Sequence, residues 1–332
     1  MTPDATYLQD SSNRLPCPRH AYPAYVNLAS VGSRDSPVIR PAALGPWPLS
    51  QRPARDDPDD MSISASNRLL SALAVVATVA AGLTFWLPDI LTGPAVMNGS
   101  ARGTALVVLV IGVPALVVSM RPAARGSVRA LAIGMGAVTY LCYNAVMFAF
   151  ATPFNRLFLL YVAMLGLSVW ALVGLVLHTD PSTIRTDRLP ARPVAIYIWV
   201  VVALNALVWL RTIVPALFAE RPTEILDGTG VATNAVFVQD LAIWLPGMAV
   251  IAVLLWRRRR WGVLLAGAGL VFWFIEAVGV AVDQWFGSRA DPSSDVASMS
   301  VVPAFVVLAT IGLGVAGLHL RALRVSVPDL QR

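Results

Sequence analysis

Residues 236–282 read VFVQDLAIWLPGMAVIAVLLWRRRRWGVLLAGAGLVFWFIEAVGVAV. Two apolar runs, 236–256 and 262–282, flank an unbroken block of arginines, Arg257 to Arg260. A bilayer core of roughly 30 Å is crossed by about 20 apolar residues in a helix, and each run has that length. Lipid supplies no water to satisfy an open strand edge, so the runs predict helices. A barrel would show short alternating segments instead. The stretch therefore reads as a helical hairpin through a membrane, with its charged turn on one side.

Six further runs extend the pattern: 69–91, 104–120, 130–151, 157–177, 194–218 and 301–319. The expected fold is an all-α, polytopic transmembrane helical bundle of about eight spanning helices over residues 61–322. Composition agrees, with 57% hydrophobic and 13% charged residues, against roughly 25% charged in a soluble domain. Of the two cysteines, Cys17 and Cys142, the second falls inside a predicted span, so a structural disulfide is not expected.

All 25 basic residues are arginines, and their placement alternates. Connections rich in arginine hold Arg121, Arg125 and Arg129, then Arg185, Arg188 and Arg192, then Arg257 to Arg260; the C-terminal end adds Arg321, Arg324 and Arg332. The intervening connections carry one each: Arg102, Arg156, Arg221 and Arg289. By the positive-inside rule both termini are expected in the cytoplasm. Trp86, Trp256, Trp261 and Trp285 sit at span ends, where amphipathic rings favour the interface. The pI of about 9.9 thus reports topology, and no nucleic-acid partner is expected.

Residues 1–60 hold 10 of the 24 prolines and show no helical period, so we expect a disordered tail. Met61, followed by Ser-Ile-Ser-Ala-Ser-Asn-Arg and an apolar run, resembles a native start, and residues 323–332 form a short cytoplasmic tail. A weak internal echo pairs Ile90-Leu91-Thr92-Gly93, Val96 and Asn98 with Ile225-Leu226-Asp227-Gly228, Val231 and Asn234. These are equivalent positions in a four-plus-four parallel duplication, an arrangement known in transporters.

Residues 228–266, GTGVATNAVFVQDLAIWLPGMAVIAVLLWRRRRWGVLLA, resemble a stretch of a group of uncharacterised bacterial integral membrane proteins. The resemblance rests on Thr233-Asn234, the acidic Asp240, Leu245-Pro246, and the turn from Trp256 to Gly262. It covers the last third of the chain and implies a multi-pass protein of the bacterial cytoplasmic membrane. It brings no reaction, ligand or catalytic residue.

Ionisable residues inside spans are costly and mark functional candidates. Arg211, Asp240 and Glu276 lie on three consecutive spans, at similar depth in the half opposite the arginine-rich turns. Arginine keeps its proton, so the expectation is one polar cluster in which Arg211 pairs with one carboxylate and the other exchanges a proton. The bland alternative is a fixed ion pair, or an arginine snorkelling to the interface. Tyr140, Tyr143 and Asn144 share a helical face at comparable depth, as do Asn205, Trp209 and Thr212, and Gln239 neighbours Asp240. Asp89, Glu220 and Asp283 are expected around the mouth.

Other motifs carry less. Gly312, Gly314 and Gly317 match a dinucleotide pattern but lie within a span, where close helix packing explains them. His178 and His319, at span ends, could clamp a haem but read better as interface residues. No metal or cofactor is expected. Three functions remain: a small-solute or ion transporter with an outward-facing polar site; an intramembrane enzyme on a lipid-linked substrate, with Arg211 clamping an anion; and a non-catalytic accessory subunit. Transport is favoured over an enzyme. Expected partners are the lipid bilayer and a membrane partner or second copy.

Overall fold

The computed structural model describes residues 58–87, 89–185 and 189–323. Among the described residues, eight helices are long and apolar enough to cross a membrane. They are α1 (Pro58–Trp86), α2 (Ala95–Ala124), α3 (Val128–Phe150), α4 (Phe158–Leu177), α5 (Ala191–Leu217), α6 (Ala235–Trp256), α7 (Arg260–Ala290) and α8 (Val302–Ala322). The protein is an all-helical multi-pass bundle. Of the expected N-terminal tail only residues 58–60 are described, as the first turn of α1; the remainder, like residues 324–332, lies outside the described residues.

Two helices are longer than their apolar runs, for a shared reason. The expected span 104–120 is part of the 30-residue α2, and 262–282 is part of the 31-residue α7. Their extensions, at the end away from the Arg257–Arg260 turn, pack on each other. A Cβ at Gly103 would lie 2.7 Å from Asp283 Cα, and one at Gly99 would lie 2.6 Å from the Phe286 carbonyl oxygen. Small residues four apart let two backbones meet, so the polar stretch from Asn98 to Thr104 is read by a neighbouring helix as well as by solvent or headgroups.

The centre of the bundle is α3 and α7, whose hydrophobic windows are 67% and 61% buried, against 17% for α5 and 22% for α8. Gly136 permits their contact, since a Cβ there would fall 2.6 Å from the Ala268 carbonyl oxygen. Around this pair are two apolar cores. One joins α1, α2, α3, α4 and α7 through Leu73, Leu116, Leu141 and Phe148; the other joins α3 to α5–α8 through Ile198, Leu255, Leu264 and Leu270.

The arginine-rich connections do more than mark a side. Arg129 donates to the carbonyls of Leu323 (3.0 Å) and Arg321 (2.9 Å), satisfying the open C-terminal end of α8 from the start of α3. His319, fully buried on α8, bonds the Val263 carbonyl of α7 through Nε2 at 2.9 Å.

Both α2 and α6 contain one π-helical turn, Val108–Gly112 and Asp240–Trp244, each followed two residues later by a proline, Pro114 and Pro246. Proline lacks an N–H, and its ring collides with the carbonyl four residues back. That carbonyl lies inside the widened turn in both cases, at Val110 and Ala242. The match falls on the second helix of each half, although the turn begins ten residues after Asn98 and only six after Asn234. Neighbour pairs also correspond: α1–α2 with α5–α6, α2–α3 with α6–α7, and α3–α4 with α7–α8. One pair breaks the pattern. Helices α1 and α4 pack along their length, tied by a 2.8 Å bond between the Thr84 and Tyr161 hydroxyls, whereas α5 and α8 stand apart.

Candidate binding site: an acidic and aromatic cavity

Where α5 and α8 part, a cavity of about 440 Å³ opens between α3, α5, α6, α7 and α8. Three carboxylates line it: Asp240, Glu276 and Asp283. No arginine or histidine is among its lining residues.

Each carboxylate is set by its helix. Asp240 begins the π turn of α6, and widened turns of this kind recur at functional sites because they re-aim one side chain. It is 7% exposed. The indole Nε1 of Trp209, on α5, donates to its Oδ2 at 2.9 Å, and the Tyr143 hydroxyl lies alongside the same group. Glu276 sits midway along α7, where Asn144 of α3 donates to its Oε2 at 3.2 Å while also donating to the Tyr140 carbonyl at 3.0 Å. Asp283 follows Glu276 by seven residues and so shares its face of the helix. Its Oδ1 has neither exposed surface nor a hydrogen-bond partner among the described residues.

Aromatic rings form much of the rest of the lining. Tyr143, Trp244 and Phe272 meet pairwise, with centroids 5.4 to 6.1 Å apart. Trp209 and Trp273 add two further rings to the lining. Trp244 is anchored by Gln239, whose Oε1 accepts its indole N–H at 3.0 Å.

The expected residues divide. Asp240, Glu276, Tyr143, Asn144 and Asn205 all line the cavity. Gln239 and Tyr140 do not line it and are both buried, each with one polar atom that has no partner among the described residues: Gln239 Nε2 and the Tyr140 hydroxyl. That hydroxyl faces the Glu276–Gly279 turn, since a Cβ on Gly279 would lie 3.3 Å from it and 3.9 Å from Glu276 Oε2.

Arg211 is elsewhere. It is exposed, does not line the cavity, and forms no ion pair with Asp240 or Glu276 among the described residues. Its depth matches theirs, but it follows Trp209 by two residues and is therefore turned about 200° around the α5 axis. Of the three acids expected at the mouth, Asp89 and Glu220 are exposed, and Asp283 is inside. The two histidines serve separate helices: His178 is exposed and its Nδ1 lies 2.7 Å from the Gly174 carbonyl, while His319 holds α7.

Tyr197, Trp244, Phe272 and Trp273 also line the cavity, though in a linear string they look like ordinary core or interface residues. A usable signal existed for Asp283, whose spacing from Glu276 is that of a helical face. A second cavity, of about 280 Å³, lies at the arginine-rich end among α1–α4, lined in part by Ser66, Ser119 and Asp180. There the hydroxyl and backbone N–H of Ser182 hold the Asp180 carboxyl below its usual range.

The chain matches no family model, no curated protein and no solved structure. The chemistry of the cavity accordingly stands on its own geometry.

Proposed function

We propose that this protein is a multi-pass transporter of small solutes in the bacterial cytoplasmic membrane, and that the acidic cavity is its binding site. One observation carries the reading: a space of about 440 Å³ within the helix bundle whose lining residues include three carboxylates and no basic residue. A buried ionised carboxylate with no partner is expensive. Three in one cavity call for protons or a cationic guest, and exchange between the two is how a coupled carrier works. Proline-linked π turns in equivalent helices, and two halves of which one is closed and one splayed, support the same reading.

The positive-inside rule puts the arginine-rich turns and both termini in the cytoplasm. Asp240 is the sixth residue of α6 from its arginine-poor end, and Asp283 lies seven residues before the end of α7. The cavity then belongs to the outer half of the membrane. An enzyme that clamps an anion with Arg211 is disfavoured, because that guanidinium is outside the cavity.

The test is accessibility in intact cells. With Cys17 and Cys142 replaced by serine, single cysteines at 240 and 276 are expected to react with an impermeant thiol reagent from outside. A cysteine at 188, in an arginine-rich turn, is expected to stay protected. Protection at 240 and 276 in an inserted protein would mean a dry structural cluster and would overturn the proposal. Reaction at 188 would reverse the topology.

A further inference from the structure

Resting on that reading, we propose that the solute is an amphiphilic amine, taken in its protonated form and admitted sideways from the bilayer between α5 and α8. Charge selects the sign. The lining holds Asp240, Glu276 and Asp283 and no cation of the protein's own. Ring faces then favour an organic cation over a bare ion. Tyr143, Trp244 and Phe272 are among the lining residues and pack on one another, and aromatic rings attract an ammonium while their apolar surface accepts its substituents. The volume is that of sites for organic ligands, which run from roughly 300 to 1,000 Å³. Among the described residues no three acidic, histidine or cysteine side chains converge closely enough to hold a metal ion.

Hydrogen bonding narrows the class. Among the described residues Asp283 Oδ1 has no hydrogen-bond donor. A protonated amine brings an N–H for the lining carboxylates to accept, which a quaternary ammonium lacks. The Tyr140 hydroxyl, on a residue with no exposed surface, is likewise unpartnered and faces the turn carrying Glu276. The acidic groups are thus incompletely satisfied by the protein itself.

The route follows from the one helix pair that does not close. Leu204 and Val208 of α5 and Leu308 of α8 line the cavity and are 58%, 54% and 46% exposed. Apolar side chains this exposed at the gap between two spanning helices make that gap the slit onto hydrocarbon that the proposal requires. Towards the arginine-rich end the slit is bridged by Tyr197, whose hydroxyl would lie 3.8 Å from a Cβ on Gly312. A guest that enters through an apolar slit and meets carboxylates carries a charged head on an apolar body.

The experiment uses the full-length protein in lipid nanodiscs, with a radiolabelled tricyclic tertiary amine as probe and equilibrium dialysis as readout. Saturable binding is expected, weakening about ten-fold in Asp240→Asn and in Glu276→Gln, and weakening as pH falls because protons compete for the same oxygens. In the unaltered protein, the same skeleton bearing a carboxylate in place of the amine is expected not to bind, and its quaternary methyl derivative to bind more weakly. Equal binding of the carboxylate analogue, or no saturable binding of the amine, overturns the proposal; so does equal affinity for a small hydrophilic amine. Since the carboxylate analogue is tested on the unaltered chain, the result does not depend on how the variants fold. Counterflow of the bound amine in proteoliposomes is measured separately. Binding without counterflow would leave the ligand class standing and sink the transport reading.

Discussion

At the residue scale, the cavity turns on which way each side chain points around its helix. Trp209 and Arg211 are two positions apart on α5, yet one donates to Asp240 at 2.9 Å and the other faces out of the bundle. Two expectations follow. Trp209→Phe keeps the ring and removes the N–H, so amine binding should weaken by about 1 kcal/mol, roughly five-fold, the usual worth of one hydrogen bond. Arg211→Gln should change binding by less than about two-fold, because its guanidinium does not line the cavity. Dialysis on both variants checks the pair; a large effect at 211 would restore it to the cluster.

At the element scale, backbone approach and helix winding hold the carboxylates in place. Gly103→Leu drives a side chain into Asp283 Cα and the Val282 carbonyl, both backbone, so neither can step aside. Overpacking of this kind costs about 1–3 kcal/mol, and the midpoint of thermal unfolding in detergent should fall. Gly166 on α4 has no atom within 4 Å of its Cβ position. Gly166→Ala should leave the midpoint unchanged or raise it, because alanine is the better helix former. Winding gives a separate prediction. Deleting Ile243 from the Asp240–Trp244 turn restores α-helical winding and rotates Asp240 by about 100° relative to the rest of α6. The protein should still insert, while amine binding measured by dialysis is lost.

At the scale of the whole molecule, the two halves share a helix order but differ in closure. The first half is sealed where α1 meets α4 through Thr84 and Tyr161; the second is open where α5 and α8 separate. Filling that slit should hinder entry without touching the carboxylates. Val208→Trp is expected to slow association of the amine at least several-fold in stopped-flow tryptophan quenching. An unchanged rate would mean that the guest arrives from the aqueous mouth instead.

Eight spans, their boundaries to within a few turns, and the alternation of arginines were legible in the chain, because hydrocarbon imposes one rule on every residue in contact with it. Asp240 and Glu276 were legible for the same reason: an acid in such a run stands out whatever its neighbours are. Depth also follows from counting residues along a helix, so the grouping of Asn144, Asn205 and Asp240 at one level could be read directly. Azimuth and helix pairing could not. Whether Arg211 faces Asp240 or lipid depends on which side of α5 the rest of the bundle occupies, and an apolar helix with weak amphipathicity does not declare that side. The inward position of Asp283 required the extended contact of α7 with α2, made by glycines at 99, 103 and 287 that mean nothing until they meet. The aromatic wall of Tyr143, Trp244 and Phe272 comes from three helices. Sequence alone determined that this is a multi-pass helical membrane protein with buried acids; only the tertiary structure decided that those acids share a cavity whose lining holds no basic residue, because membership of a cavity depends on contacts between helices far apart in the chain.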